Sequence, residues 1–432
     1  MVDRGHRDVF QRVAFGSTFF SICLLLFFEM FGGVFRWILV EIGLSSFIYL
    51  PKVLMLLSMG LVLISARFVI QIWSLFFIGG IFILYGTLAN GVVPALFSVF
   101  MLTPFVASAL VSDRLVLLMS SSGPLIPVLF SVAFVGVVLD YFYPMPWSGA
   151  TMITMFGEIE NSREWWTQGL TRSAGFTRVS TTSATLLALL GVILVSREKT
   201  GVISNTLVVF VTLMGLALTT SKVTLLSFVA VVFLFGVIRV LKLNPWVIAT
   251  AVVVIQGALF GFSTYAPNFT SSYGVVSVLL FGSLMVRFTE TWPEYVATLG
   301  ESSSDVFQVV LLGAGIGAVG APQKLFNETA VLADNALLYS VGTLGSVGLI
   351  LWLYLAIKAA KLSVSPDFGE RVLGLCGLLL LINGLTTDIW ESTFGLVVMG
   401  VIAGRNTARK YTTHKRIDGG APLTYPRSHV KR

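Results

Sequence analysis

Histidine is nearly missing from this chain. Of 432 residues only three are histidine, namely His6, His414 and His429, and all lie towards the ends. Chemistry in the body of the protein must therefore run without an imidazole acid, base or metal ligand. Cysteine is scarcer still. Cys23 and Cys376 each sit inside an apolar run, where a thiol packs as a small hydrophobe. Two isolated cysteines argue against a disulfide framework or a metal site and say nothing about redox compartment. Charge is the third shortage. Charged residues make up 11% of the chain and hydrophobic ones 56%, with a mean hydropathy of +0.90. A soluble chain of this length cannot cover its surface with so few polar groups. Internal repeats are also absent, which argues against a transporter built from two matching halves.

What the chain has instead is apolar runs, most of them about twenty residues long, as expected where lipid replaces water as the outer solvent. The fold class that follows is an all-α polytopic membrane protein with about 12 transmembrane helices. The expected spans are 13–33, 51–66, 68–89, 92–111, 118–140, 181–196, 201–219, 223–238, 245–265, 335–357, 372–388 and 390–404. One such run can be a signal peptide, but a dozen cannot. The stretch 36–50 contains Glu41 and is expected to lie along the interface. The last two spans are short and are expected to form a tight hairpin.

The pI of about 9.4 suggests nucleic acid until the basic residues are placed. They fall in short linkers and in the two tails, so no nucleic acid partner is expected. With the N-terminus inside, the inner linkers and tails collect 20 of the 28 Lys and Arg, which fixes both termini in the cytoplasm by the positive-inside rule. Two long loops, 141–180 and 266–333, then face outwards, and loops of that length are usually functional. In the first, Trp147, Trp165 and Trp166 suit the headgroup level. In the second, Val286–Leu299 reads as a short amphipathic helix on the membrane surface. Residues 1–404 form one transmembrane domain, and 405–432 a basic cytoplasmic tail without regular structure.

The eight remaining cations are Arg36, Lys52, Arg163, Arg172, Arg178, Lys222, Arg287 and Lys324. A cation against a membrane span is costly and normally serves a site. Arg172 and Arg178 precede a span, Lys222 lies at the outer end of a helical hairpin, and Arg287 sits in the second loop. Arginine forks match phosphate oxygens in pairs, so these cations suit a lipid diphosphate, against the alternative of snorkelling side chains. The acidic candidates are Glu290, Glu294, Asp334, Asp388 and Glu391. Asp334 is either a helix cap or a base or orienting group for a sugar hydroxyl. Asp388 and Glu391 flank the turn of the last hairpin, where they suit sugar binding or pairing with the arginines. The glycines of 313–320 lack the rest of a nucleotide-binding motif and mark a tight turn, with backbone N–H groups that can meet phosphate. Gly342, Gly345 and Gly348 suit close helix packing. No metal-ligand cluster is visible and no cofactor is expected.

The order of these pieces resembles the O-antigen ligase and Wzy-type O-antigen polymerase superfamily. Arg172–Phe176 is similar to that family's segment before a span, and Thr220-Ser221-Lys222 to its Ser-Arg element. Arg287 with Trp292, the glycines of 313–317, and Asp334-Asn335 leading into Gly342–Gly348 follow in the same order. Lys222 stands where arginine is common, and Asp334-Asn335 where ligases carry His-Asn. The resemblance implies a GT-C-like membrane glycosyltransferase of the bacterial inner membrane with a periplasmic active site. It would transfer a growing glycan from undecaprenyl diphosphate to an undecaprenyl diphosphate-linked repeat unit, with a flippase and a chain-length regulator as partners. On this reading Asp334 and Arg287 are catalytic, and Arg172, Arg178, Lys222, Asn335, Glu290, Asp388 and Glu391 bind substrate. The alternatives are an O-antigen ligase, a transporter or lipid-linked glycan flippase, and a non-catalytic assembly subunit.

Overall fold

The computed structural model describes residues 3–65, 70–121, 123–154, 157–162, 166–167, 170–197, 201–265, 284–301, 310–320, 326 and 332–417. Among the described residues the apolar runs are helical. In chain order they are α1 Asp3–Met30, α2 Gly32–Glu41, α3 Leu50–Ser65, α4 Ile70–Asn90, α5 Val92–Leu110, α6 Ser112–Ser121, α7 Leu125–Phe142, α8 Ser180–Val195, α9 Val202–Leu218, α10 Lys222–Leu241 and α11 Pro245–Tyr265. Then come α12 Trp292–Glu301, α13 Ala336–Leu344, α14 Ser346–Ser363, α15 Phe368–Asn383 and α16 Thr393–Ile417. Between α7 and α8 lie two small antiparallel hairpins, Thr151–Thr154 with Gly157–Glu160 and Trp166–Thr167 with Leu170–Thr171.

Among the described residues six helices are long and apolar enough to cross a membrane. They are Val9–Met30, Ser45–Ile64, Val92–Leu110, Leu125–Phe142, Lys222–Leu241 and Ser346–Ser363. Five further apolar helices are shorter. The chain is a helical multi-pass membrane protein. Its core is built around α8 and α15, which are buried along almost their whole length. The outer helices turn large side chains such as Phe77, Leu88, Ile203 and Phe233 away from the protein. In water that would be a liability, whereas in lipid it is the expected surface.

Several sequence expectations are corrected. Residues 335–357 do not form one helix. Gly345 has a positive φ of +59°, so it ends α13 and starts α14 while also packing closely against Leu311 and Gly313, where a side chain has no room. A turn at Gly123-Pro124 likewise separates α6 from α7, where one span from 118 was expected. Helix α15 stops at Asn383 and α16 starts at Thr393, so Asp388 and Glu391 lie in a nine-residue connection, not at a tight turn. Trp147 is buried, its indole donating to Gly175 O at 3.2 Å, instead of sitting at the headgroups. Trp165 and the side chain of Trp166 lie outside the described residues, as do Arg163 and Lys324.

The tail is also shorter than expected, since α16 runs on to Ile417. Arg405 belongs to the bundle. It pairs with Asp113 at the start of α6 and with Glu370 at the start of α15, at 2.9 Å for the latter. Ser365 Oγ holds the second Glu370 oxygen at 2.7 Å. This clasp closes one end of the bundle.

Candidate functional site

The other end, where α15 finishes, gathers most of the candidate residues. Construction begins at Asn335. Its Oδ1 accepts from Leu337 N and Leu338 N at 2.9 and 3.1 Å, capping α13. Its Nδ2 donates to Leu385 O at 2.9 Å. The cap is therefore Asn335 and not Asp334, and its amide bonds within the fold. Ala336 N donates to Gly384 O at 2.9 Å, and the Trp390 indole donates to Ala336 O and Ser340 Oγ at 3.0 and 2.7 Å. These bonds lock residues 384–392 onto the start of α13 and bring Asp388 and Glu391 into the electrostatic neighbourhood of Asp334.

Asp334 itself is left-handed, φ +45°, a conformation Asp tolerates better than most residues. Its Oδ2 lies 3.2 Å from Arg287 Nη2, with side-chain exposures of 40% and 20%. Arg287 opens a π-helical turn, Arg287–Thr291, that runs into α12. The amphipathic helix expected here exists, but its apolar face docks on protein. Phe288, Trp292 and Tyr295 are buried, and Tyr295 OH donates to Leu338 O at 3.1 Å. Glu290 is exposed on the π turn.

The first long loop reaches the same place through Asp140, which the sequence analysis passed over. This carboxylate, near the end of α7, accepts from Ala174 N at 2.6 Å and Gly175 N at 2.9 Å. It holds the Arg172–Phe176 segment, whose Gly175 needs its positive φ of +61°. Arg172 is thereby brought beside Arg287. Burial, and then the neighbouring Arg287 charge, hold the Arg172 guanidinium below its ordinary pKa. Arg178 lies at the far end of the same segment, beside Arg36.

Lys222 is exposed as the first residue of α10. Thr224 Oγ1, one turn on, meets Ser221 Oγ at 2.8 Å and Asn383 Oδ1 at 3.1 Å, so the start of α10 is tied to the end of α15. A lysine at a helix N-terminus opposes the dipole, which makes it an unlikely choice for stability alone.

Asp388 accepts from Trp390 N at 2.9 Å. Its carboxyl is nevertheless pushed well above the usual range, by burial first, then by Glu391 and, more weakly, by Asp334. Gly320, at φ +88°, closes over this pair; any side chain there would meet Glu391 and Tyr339. The glycine loop acts as a clasp between helices. Tyr85 OH donates to Gly313 O at 3.0 Å, Asn90 Nδ2 to Ala314 O at 2.8 Å, and Ala314 N to Gly342 O at 2.7 Å.

No family model, no curated protein and no solved structure matches the chain. Arg172 and Arg287, with Lys222 at the same end of the bundle, suit an anion with several oxygens. The Asp388 carboxyl, with its raised pKa and Asp334 nearby, suits holding a proton. Among the described residues no group of three or more His, Cys, Asp or Glu could hold a metal ion. Asp140 was missed because an isolated acid ending an apolar run has no partner in the sequence; its placement before the first long loop was the available signal.

Proposed function

We propose that this chain is a lipid-linked glycan polymerase of the bacterial inner membrane. It carries a growing glycan from undecaprenyl diphosphate to an undecaprenyl diphosphate-linked repeat at the periplasmic face. The observation that carries this reading is the meeting of Arg172 and Arg287, from two separate long loops, beside Asp334. On the same reading the chain crosses the bilayer twelve times in a GT-C-like arrangement, the shorter helices and α15 crossing with the six long ones. A helix of 16 residues is about 24 Å long, near the roughly 30 Å hydrocarbon core, so modest thinning or flanking polar residues complete the crossing.

In the proposed reaction the acceptor hydroxyl oxygen attacks the anomeric carbon of the donor's first sugar. The bond from that carbon to the diphosphate oxygen breaks, and the diphosphate leaves with the electron pair. Arg172, Arg287 and Lys222 stabilise the charge that develops on it. The hydroxyl proton passes to Asp334, the carboxylate beside Arg287. Asp334, paired with Arg287, orients that guanidinium.

The test is the glycan pattern of cells lacking the protein, run beside the parent strain. Collapse of the ladder to core plus one repeat supports the polymerase. Bare core with accumulated lipid-linked polymer means a ligase instead, and lipid-linked single repeats trapped on the cytoplasmic face mean a flippase. An unchanged ladder refutes the proposal.

A further inference from the structure

The segment that presents Arg172 to Arg287 has a second end. Arg178 packs its backbone against α2, where a methyl on Gly32 would stand 3.5 Å from Arg178 N. Gly33 N donates to Phe176 O at 2.9 Å, fastening the two. Arg36 lies one helical turn beyond Gly32, on the same face of α2. Its guanidinium interacts with Arg178 and with Glu29, near the end of α1. Lys52, in the first turn of α3, completes the corner, interacting with Glu29 and Arg36. Arg36 and Lys52 therefore share the Glu29 carboxylate, and Arg178 adds a third positive charge beside Arg36.

Arg36 and Lys52 are poorly bonded. Among the described residues, buried Arg36 Nη1 has no hydrogen-bond partner. Lys52 Nζ reaches the thioether of Met101 at 3.3 Å and the face of Phe100 at 4.8 Å. A sulfur and a ring are weak substitutes for the oxygens that an ammonium prefers. Two like charges near a membrane that share one carboxylate are held at a cost unless an anion joins them. An oxyanion with several acceptor oxygens would meet the Arg36 donor and the Lys52 ammonium together.

We propose that Arg36, Lys52 and Arg178 form a second anion site, which takes a phosphate group. It is separate from the Arg172–Arg287 site and stands whether or not the chain transfers glycans. The phosphate is either the headgroup of an acidic phospholipid or a free ion, and Glu29 sets the affinity by occupying part of the positive field when the site is empty.

The test uses the full chain in phosphatidylcholine nanodiscs, with binding of inorganic phosphate counted per chain. A parallel arm adds phosphatidylglycerol and counts lipid retained in native mass spectrometry. Arg36→Gln or Lys52→Met should each weaken binding about tenfold, roughly the loss of one charge-assisted hydrogen bond. Glu29→Gln should strengthen it and serves as the control should the other two fold poorly. Arg287→Gln should leave this site filled, so the two sites fail independently. Retention of phosphatidylglycerol without phosphate binding identifies a lipid headgroup, and phosphate binding alone identifies a free ion. The proposal is overturned if neither ligand binds the native chain or Glu29→Gln, or if binding survives Arg36→Gln and Lys52→Met unchanged.

Discussion

At the scale of single residues, the proposed reaction asks some groups to act on charge and others to hold a proton. Arg287 makes its ion pair with Asp334 while only a fifth exposed, so its charge is poorly screened. Arg287→Gln is expected to lower polymer synthesis from purified lipid-linked repeats about 100-fold, the scale of one lost charge-assisted contact to a leaving group. Arg287→Lys should recover little, because an ammonium cannot offer two parallel bonds. Asp388 gives a pH prediction. Its carboxyl binds a proton more tightly in the folded protein than in the unfolded one. Between the ordinary carboxylate pKa and the raised one, the unfolded chain therefore holds fewer protons than the folded chain. Stability must fall as pH rises through that window. Thermal melts across pH should show this slope in the native protein and lose it in Asp388→Asn. A slope that persists in the variant would place the titration elsewhere.

At the scale of elements, two devices hold the site together. Asp140 fixes the Arg172–Phe176 segment through two backbone N–H groups. Asp140→Asn keeps an acceptor but loses the charge, so it should cost about 1–2 kcal/mol and lower kcat/KM roughly tenfold. Equal activity at equal expression would show that the segment holds its place unaided. Helix α12 docks by Tyr295 against Gly342, where there is no room for a methyl. Gly342→Ala should free α12, destabilise the protein by about 1–3 kcal/mol and expose the adjoining chain to limited proteolysis. The sequence made the elements legible because apolar length is a strong signal. It hid their interruptions. Gly345 looked like one of three packing glycines, and only its positive φ reveals a break. The pairing of Arg287 with Asp334 was legible only as shared membrane side, since their contact depends on how α12 docks. Asn335 looked like a ligand because it sits beside Asp334; that it caps α13 follows from where the helix begins.

At the scale of the whole molecule, the bundle is closed at both ends by polar work, and the two ends differ. One end gathers Arg172, Arg287, Asp334, Asp388 and Glu391. At the other, Arg405 is balanced by Asp113 and Glu370, and the arginine assigned to a disordered tail becomes part of the core. That burial was not legible because neither acid is near Arg405 in sequence. Arg405→Ala leaves two carboxylates facing each other without their cation and should cost about 3 kcal/mol. Adding Glu370→Gln should restore part of the loss in thermal unfolding in detergent. No restoration would mean that the arginine contributes through packing alone.

The same clasp has a consequence for how the protein is made. Asp113 and Arg405 are 292 residues apart, and ribosomes add roughly 5–20 residues per second. Asp113 therefore enters the bilayer on the order of 15–60 s before its arginine exists. Over that interval α5 also lacks the helix that later packs Gly400 and Gly404 against Ser108 and Ala109. The N-terminal half of the bundle must wait, half-assembled in the membrane, for a partner still being translated.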